Sequence, residues 1–218
     1  MGETEITNAQ FAQFDPTHDS RLEHGDWLHF TIQERGYTVN EPRQPVVRVS
    51  WDRAMAFCQW LSQKTGLRIS LPTQDEWEIA CRAGTRTPMW YGEFTTDFSG
   101  FANLADRAFK KVDAFSPRGL PAKAIEEMRP AINTVNDGYR VSAPVGTFKP
   151  NPWGLHDIHG NVAEWTRSTA PRNPQRRIVR GGSWYDRPQH AHSAFKLSYL
   201  KWAGVYNVGF RVVCYGLE

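Results

Sequence analysis

The spacing of hydrophobic and polar residues predicts two amphipathic helices in the first half of the chain. Over residues 51–64, apolar positions recur every three or four residues, which is the period of a helix with one buried face. Ser50 caps the start of this helix, and Gly66 supplies the left-handed residue that ends it. Residues 73–76, Thr-Gln-Asp-Glu, form a capping box that predicts a second helix, stopped by Gly84.

Shorter apolar runs predict strands around these helices. Residues 45–49 and 67–71 are two such runs, and residues 206–213 alternate small and apolar residues as a buried terminal strand does. Residues 177–186 form a β-rich run that breaks at a Gly-Gly-Ser corner. A further capping box at residues 7–10 opens a short helix, so the chain contains both kinds of element.

Two long segments lack any periodic pattern. Residues 15–44 are polar and irregular, and within residues 85–150 only residues 122–128 have the pattern of a helical turn. The composition agrees with this, because the chain contains nine Trp, 14 Pro and 17 Gly. Such a mixture indicates a fold that is rich in turns and held by large aromatic anchors.

Length and charge exclude several classes of protein. The 218 residues predict one domain covering residues 1–218, and 26 basic against 23 acidic residues give a net charge of +3, too balanced to indicate nucleic acid binding. No apolar run reaches the roughly 18 residues of a membrane span, and the N-terminus has no signal-peptide pattern. The compartment is therefore left unassigned. A basic run is interpreted as a solvated face with a few ion pairs: Arg172, Arg176, Arg177, Arg180 and Arg187.

Neither cysteines nor histidines form a recognisable metal or disulfide pattern by spacing. The three cysteines contain no CxxC pair, and the odd number predicts buried thiols at Cys58, Cys81 and Cys214. Histidines at positions 18, 24 and 29 are separated by six and five residues, which fits no single helix face or strand. They are interpreted as surface or locally bonded side chains.

Acidic residues on both sides of a turn predict a cation site. Asp157 and Glu164 flank Gly160–Asn161, and the backbone carbonyls between two carboxylates suit a hard cation such as calcium. Asn103 and the Asp-Gly pair at residues 137–138 give a weaker signal of the same kind, since Asp-Gly is ordinarily only a turn.

Five ordered motifs carry a specific resemblance. They are LPTQDEWEIACRAGT (71–85), ANLAD (102–106), NPWGLHDIHGNVAEW (151–165), RGGSW (180–184) and NVGFRVV (207–213). This succession resembles the sulfatase-modifying factor family, typified by formylglycine-generating enzyme. The resemblance implies an α+β, C-type-lectin-like fold with two core helices, small antiparallel sheets and much irregular structure. Family members usually carry β-rich lead-in strands before the position of Met1, and these are expected to be missing here.

The resemblance also implies two calcium sites, with ligands that match residue by residue. The first set is Asn103, the Leu104 carbonyl, Asp137 and the Tyr139 carbonyl. The second set is Asp157, the carbonyls of Gly160 and Val162, and Glu164. All four side chains carry oxygen donors, as calcium requires.

The catalytic feature of the family does not carry over. Formylglycine generation uses two cysteine thiolates that bind copper(I) shortly after the Gly-Gly-Ser corner. Asp186 stands near the first of these positions, and no cysteine follows before Cys214, which is expected to be buried. Copper is therefore not expected. His190 and His192 offer weak alternative metal ligands with Asp186, since residues two apart on an extended segment face the same side.

Two function classes remain. The first is a noncatalytic module that binds a peptide, protein or glycan through residues 184–192 and 198–206. Its aromatic and polar contact residues are expected to be Trp184, Tyr185, Arg187, His190, His192, Tyr199, Trp202 and Tyr206. The alternative is a divergent metal-dependent oxidase or oxygenase that acts on a peptide or a small thiol. The missing thiolates favour the first class.

Overall fold

Residues 1–23, 36–110, 132 and 134–216 are described by a computed structural model, and the structural statements below refer to these residues. His24, His29 and the helical turn predicted at residues 122–128 lie outside them. The four helices are α1 (Asn8–Ala12), α2 (Trp51–Thr65), α3 (Gln74–Arg82) and α4 (Arg107–Lys110). None of the described helices has the length and apolar character needed to cross a bilayer.

The caps of α2 form as the sequence predicts. Ser50 has an extended backbone, and its hydroxyl accepts a hydrogen bond from the amide of Arg53 at 3.3 Å. Gly66 ends the helix at φ +73°, a conformation that L-residues with a side chain rarely adopt. Ala54 and Cys58 on the inner face are buried, so α2 is one of the two expected core helices.

The capping box of α3 is also confirmed, but its C-terminus differs from the prediction. The Thr73 hydroxyl accepts from the amide of Glu76, and the Glu76 carboxylate accepts from the amide of Thr73. Ala83, at φ +44°, is the left-handed capping residue, and Gly84 follows it at φ +89°. The left-handed stop is therefore Ala83, one residue before the predicted Gly84, and both residues take positive φ.

The described strands form one four-stranded sheet and two two-stranded sheets. The strands are β1 (Leu22–Glu23), β2 (Tyr37–Thr38), β3 (Arg68–Ser70), β4 (Ala163–Ala170), β5 (Asn173–Arg180), β6 (Leu197–Leu200), β7 (Val208–Gly209) and β8 (Val213–Tyr215). The main sheet has the order β6-β5-β4-β7, in which β7 runs parallel to β4 and the other neighbours are antiparallel. β1 pairs with β2, and β3 pairs with β8.

Two predicted strands are not continuous strands. Residues 45–49 are buried except for the half-buried Arg48, but they form no ladder. Arg48 takes φ +58°, and the amides of Val46 and Arg48 donate to separate segments, at Ile6 and Val205. The predicted terminal strand at residues 206–213 divides into β7 and β8, which belong to different sheets.

The expected burial of Cys214 is wrong. This residue lies in β8, which pairs only with β3, and its side chain is exposed. Cys58 and Cys81, by contrast, are buried in α2 and α3, and burial raises the pKa of each thiol to about 12. Those two residues therefore behave as small apolar groups.

Aromatic side chains fill the main core between α1, α2 and the sheet. Phe57 stacks on Phe11 with ring centroids 5.5 Å apart and meets Phe210 edge-to-face at the same distance. Trp165 on β4 belongs to this cluster and donates its indole N–H to the carbonyl of Val49. A second cluster gathers around Trp77 and Cys81 of α3. The large aromatic anchors expected from the composition are therefore at the centre of the fold.

A fully buried ion pair connects distant parts of the chain. Arg211 contacts both oxygens of Glu164, at 2.7–2.8 Å, and both side chains are at most 1% exposed. The same guanidinium donates to the carbonyls of Gly2, Glu3 and His156. The indole of Trp77 donates to the second oxygen of Glu164 at 2.7 Å. Both charges are thus paired and hydrogen-bonded within the core.

We expect Arg211→Met to lower the free energy of unfolding by about 3–5 kcal/mol, because it leaves the Glu164 carboxylate buried without its cation. Urea denaturation measures this loss. Arg53→Met is the matched control, since Arg53 pairs with Asp15 at the surface and its side chain is 50% exposed. The control should cost less than about 1 kcal/mol. Equal losses for the two variants would contradict a central role of the buried pair.

Candidate functional site

The Gly-Gly-Ser corner turns the chain sharply at the end of β5. Gly181 and Gly182 have φ values of +91° and +68°, which confirms the predicted break after Arg180. A Cβ atom on Gly182 would lie 2.7 Å from both the Ala191 Cβ and the His190 carbonyl oxygen. The corner therefore packs directly against residues 190–191, and only glycine permits this approach.

Asp186 is held against the corner by hydrogen bonds. Its Oδ2 accepts from the amide of Ser183 at 2.9 Å and from the Ser183 hydroxyl at 2.7 Å. The Ser183 hydroxyl oxygen accepts in turn from the Asn207 side-chain amide at 2.8 Å. Burial raises the pKa of Asp186, although the bonds from Ser183 oppose this shift. The carboxylate near the first expected thiolate position is thus fixed by the corner itself.

A cavity of about 190 Å³ lies beside Asp186. Its walls combine apolar groups, three tyrosines and three polar side chains, from Ala163, Val179, Arg180, Gly182, Tyr185, Asp186, Phe195, Leu197, Tyr199, Tyr206 and Asn207. The rings of Tyr185 and Tyr206 meet edge-to-face, with centroids 6.0 Å apart. Three of the eight predicted contact residues, all tyrosines, therefore line one concave site.

Trp184, Trp202 and Arg187, which were also predicted to contact a ligand, do not line the cavity. Trp184 is only 1% exposed and packs with Val47 and Val162 in the core. Its side chain is therefore not available to contact a ligand. Trp202 is 57% exposed, and Arg187 is also exposed. Trp184 is buried because the corner turns the following residue inward, which the residue type alone does not reveal.

His190 and His192 do not lie on an extended segment, contrary to the prediction. Residues Pro188–His190 form a 3-10 helix, so the two histidines do not share a face in the way that a strand would impose. The imidazole of His190 stacks on Phe195 with centroids 5.1 Å apart, and that of His192 accepts a hydrogen bond from the amide of Ala194. In the described part of the chain, no three His, Cys, Asp or Glu side chains converge as a metal group.

The basic run is not a continuous exposed face. Arg180 is buried, and its guanidinium bonds to Glu78 and to the Ser193 carbonyl, both at 2.5 Å. Arg177 donates to the Pro174 carbonyl and lies over the ring of Trp51. The predicted solvated face is therefore wrong for Arg180, whose side chain forms part of the cavity wall.

A buried histidine that the sequence reasoning overlooked supports the same segment. His159 Nδ1 lies 2.7 Å from the Ala191 carbonyl, and the Trp90 amide donates to His159 Nε2 at 3.2 Å. This pattern requires a neutral ring, and burial lowers the pKa of His159 to about 4. The thiol of Cys81 lies 3.5 Å from Ser193 Oγ. One thiol therefore reaches the neighbourhood of the corner, although sequence distance gave no sign of it.

The predicted first calcium ligands come together, and one of their oxygens has no partner. Asp137 accepts from the amides of Leu104 and Tyr139, which joins the two halves of the set. Asn103 Nδ2 donates to Val141 and Asn161, whereas Asn103 Oδ1 is buried without a hydrogen bond. Burial, with the nearby charge of Asp106, raises the pKa of Asp137 to about 7. The unpartnered amide oxygen of Asn103 and the buried carboxylate of Asp137 are the donor types that calcium takes.

The predicted second set fits a cation less directly. Asp157 Oδ1 is buried without a partner, but both oxygens of Glu164 are bonded to Arg211 and Trp77. Glu5, which sequence reasoning did not select, has a second unpartnered buried oxygen, and its pKa is raised by burial and by the charge of Asp157. The carboxylate oxygens without a hydrogen-bond partner around this second set thus belong to Asp157 and Glu5.

Comparison with known proteins identifies the family. A sequence profile described as "Sulfatase-modifying factor enzyme 1-like domain" matches residues 1–215. The formylglycine-generating enzyme of Bos taurus is 30% identical over 162 residues, which cover 67% of this chain and 36% of that protein. "Inactive C-alpha-formylglycine-generating enzyme 2" of Mus musculus is 35% identical over 146 residues, covering 65% of this chain and 38% of that protein. The chain spans less than half of the length of these curated relatives.

Solved structures share the fold. PvdO from Pseudomonas aeruginosa superposes with a TM-score of 0.70 and 21% identity, covering 97% of this chain and 78% of that one. Variable protein 1 of Treponema denticola gives a TM-score of 0.69 and 21% identity, covering 98% and 83%. These similarities confirm the predicted α+β fold, with few helices, small sheets and much irregular structure. Together with the profile match, they show that the chain belongs to the sulfatase-modifying factor enzyme 1-like family.

Proposed function

We propose that this domain is a noncatalytic binding module that presents the cavity and its aromatic surroundings to a peptide, protein or glycan. One observation carries this proposal. The place where the family's thiolates are expected holds a tyrosine-lined cavity with the fixed carboxylate of Asp186. Tyrosine offers large contact area with few rotatable bonds, which suits recognition. The exposed Trp202 extends the contact surface that we propose.

The positions of the three cysteines argue against the family's copper chemistry. Copper(I) is held by a pair of thiolates in formylglycine generation, and soft ligands are what that ion selects. Cys81 is the thiol that approaches the corner, and burial holds its pKa near 12, which disfavours the thiolate. Cys58 lies in the core cluster of α2, and Cys214 is exposed on β8. The three thiols therefore belong to separate parts of the structure, which supports the absence of a copper-binding pair.

The alternative of a divergent metal-dependent oxidase has less support. It needs a metal site near the cavity, and the candidates were Asp186, His190 and His192. Asp186 is directed to Ser183, while the imidazoles of His190 and His192 pack against Phe195. The relative in Mus musculus whose name includes "inactive" is consistent with a member of the family that has lost the reaction.

Calcium completes the proposal as a structural cofactor. The first site joins two loops through Asn103 and Asp137, and the open oxygen of Asn103 supports an ion at that position. Calcium there would stabilise the loops that surround the core of the domain, without taking part in a reaction.

We expect no conversion of a sulfatase-type CxPxR peptide to the aldehyde when the protein is incubated with copper and oxygen. Mass spectrometry follows the change in peptide mass. The formylglycine-generating enzyme of Thermomonospora curvata, a relative at 32% identity, serves as the positive control. Conversion above background by the present protein would overturn the noncatalytic function.

Peptides or glycans selected on the wild-type protein should lose about tenfold or more in affinity with Trp202→Ala, since exposed aromatic anchors dominate such interfaces. Trp153→Ala is a matched control, because Trp153 is 58% exposed and Trp202 is 57% exposed. Trp202 follows β6, whose residues Leu197 and Tyr199 line the cavity, whereas Trp153 lies in the loop before β4. Equal affinities of the two variants, measured by surface plasmon resonance, would remove Trp202 from the proposed surface.

Calcium should raise the melting temperature, and chelation should reverse the change. At a free calcium concentration of about 100 times Kd, the stabilisation would be about 2.7 kcal/mol. Asp137→Asn should abolish the response, because it removes the carboxylate of the first site. Asp97→Asn, at an exposed Asp that bonds locally to the Ser99 amide, should leave it intact. An unchanged melting temperature in the wild-type protein would exclude the calcium assignment.

A further inference from the structure

We propose that the cavity beside the Gly-Gly-Ser corner binds a primary ammonium group, such as the end of a lysine-type side chain. This inference rests on the proposed binding function and specifies the chemistry of the ligand. It depends on three features of the cavity. These are a hydrogen-bond acceptor without a partner, the aromatic side chains of tyrosines, and the carboxylate of Asp186, whose neighbour Arg180 is already paired with Glu78.

The acceptors include one that has no partner. Asn207 donates its side-chain amide to Ser183 Oγ, which fixes the orientation of the group, and its Oδ1 is buried without a hydrogen bond. Asn207 lines the cavity. A buried acceptor without a partner is costly, so a ligand that brings N–H donors would relieve it.

The second feature is the set of aromatic faces around Asp186. Tyr199 and Tyr206 line the same cavity, and their pKa values are raised by burial and also by the charge of Asp186. Asp186 lines the cavity together with both phenol groups. A cation is attracted to the face of an aromatic ring and to a carboxylate together, and the attraction is larger where water is displaced.

The cationic residue in the wall does not cancel this attraction. The guanidinium of Arg180 bonds to Glu78 and to the Ser193 carbonyl and lies over the ring of Trp77. Its positive charge is therefore paired with the carboxylate of Glu78, a residue of α3. The charge of His190 lowers the pKa of Asp186, against the larger effect of burial. The carboxylate of Asp186 keeps its hydrogen bonds from Ser183, which orient it without removing its charge.

Titration with n-butylammonium chloride, compared with 1-butanol, tests the inference because the two probes have the same chain length and differ in charge. Two-dimensional NMR of backbone amides at Gly182, Ser183 and Asn207 follows binding. We expect the ammonium to bind about tenfold or more tightly than the alcohol. Asp186→Asn should abolish most of this preference, and Asp97→Asn should leave it unchanged. Sodium chloride at equal ionic strength corrects for salt effects.

A second variant keeps the test valid if Asp186→Asn disturbs folding. Tyr206→Leu removes one aromatic face and should weaken ammonium binding several-fold more than butanol binding. Equal affinity for the ammonium and the alcohol would overturn the inference and leave the binding function standing. Binding of selected peptides through Trp202 with no amide shifts at the cavity would also overturn it. Failure of every selected ligand to bind would instead overturn the proposed function itself.

Discussion

The structure depends on one buried ion pair. Arg211 and Glu164 come from the two motifs that enclose the corner, and neither side chain is exposed to water. Desolvating two charges is expensive, so the pair is tolerated only because every donor and acceptor is satisfied by Trp77 and by main-chain carbonyls. These bonds fix the position of β4 relative to the C-terminal segment. The corner and its cavity lie on the sheet that the pair holds in place.

The parts of the fold that depend on local rules were predictable from the sequence. Ser50 and Thr73 cap helices because each side-chain hydroxyl accepts from an amide only three residues away. The break at residues 45–49 and the exposure of Cys214 depend instead on which segments become neighbours, and no local pattern encodes that. Sequence reasoning overlooks Glu5 for the same reason, since its carboxylate accepts from Asn161, which is 156 positions away.

In the candidate site, too, some features follow from the local sequence and others depend on which segments become neighbours. Tyr185, Tyr199 and Tyr206 were selected because aromatic residues recur in two segments, and the fold brings them to one cavity. Trp184 has the same chemistry but points inward, and Cys81 approaches the corner from α3. Residue type indicates what a side chain can do, whereas the turn at Gly181–Gly182 decides which side chains reach the cavity. The family resemblance supplied the place of the site but not its chemistry.

The carbonyls that accept from Arg211 have a consequence for the N-terminus. Gly2 and Glu3 contribute two of the backbone acceptors of this guanidinium, although the Glu3 side chain is largely exposed. Displacing the main chain at these two residues would therefore disturb the centre of the molecule, since it would leave buried N–H groups of Arg211 without acceptors. The first residues of the chain act as part of its core.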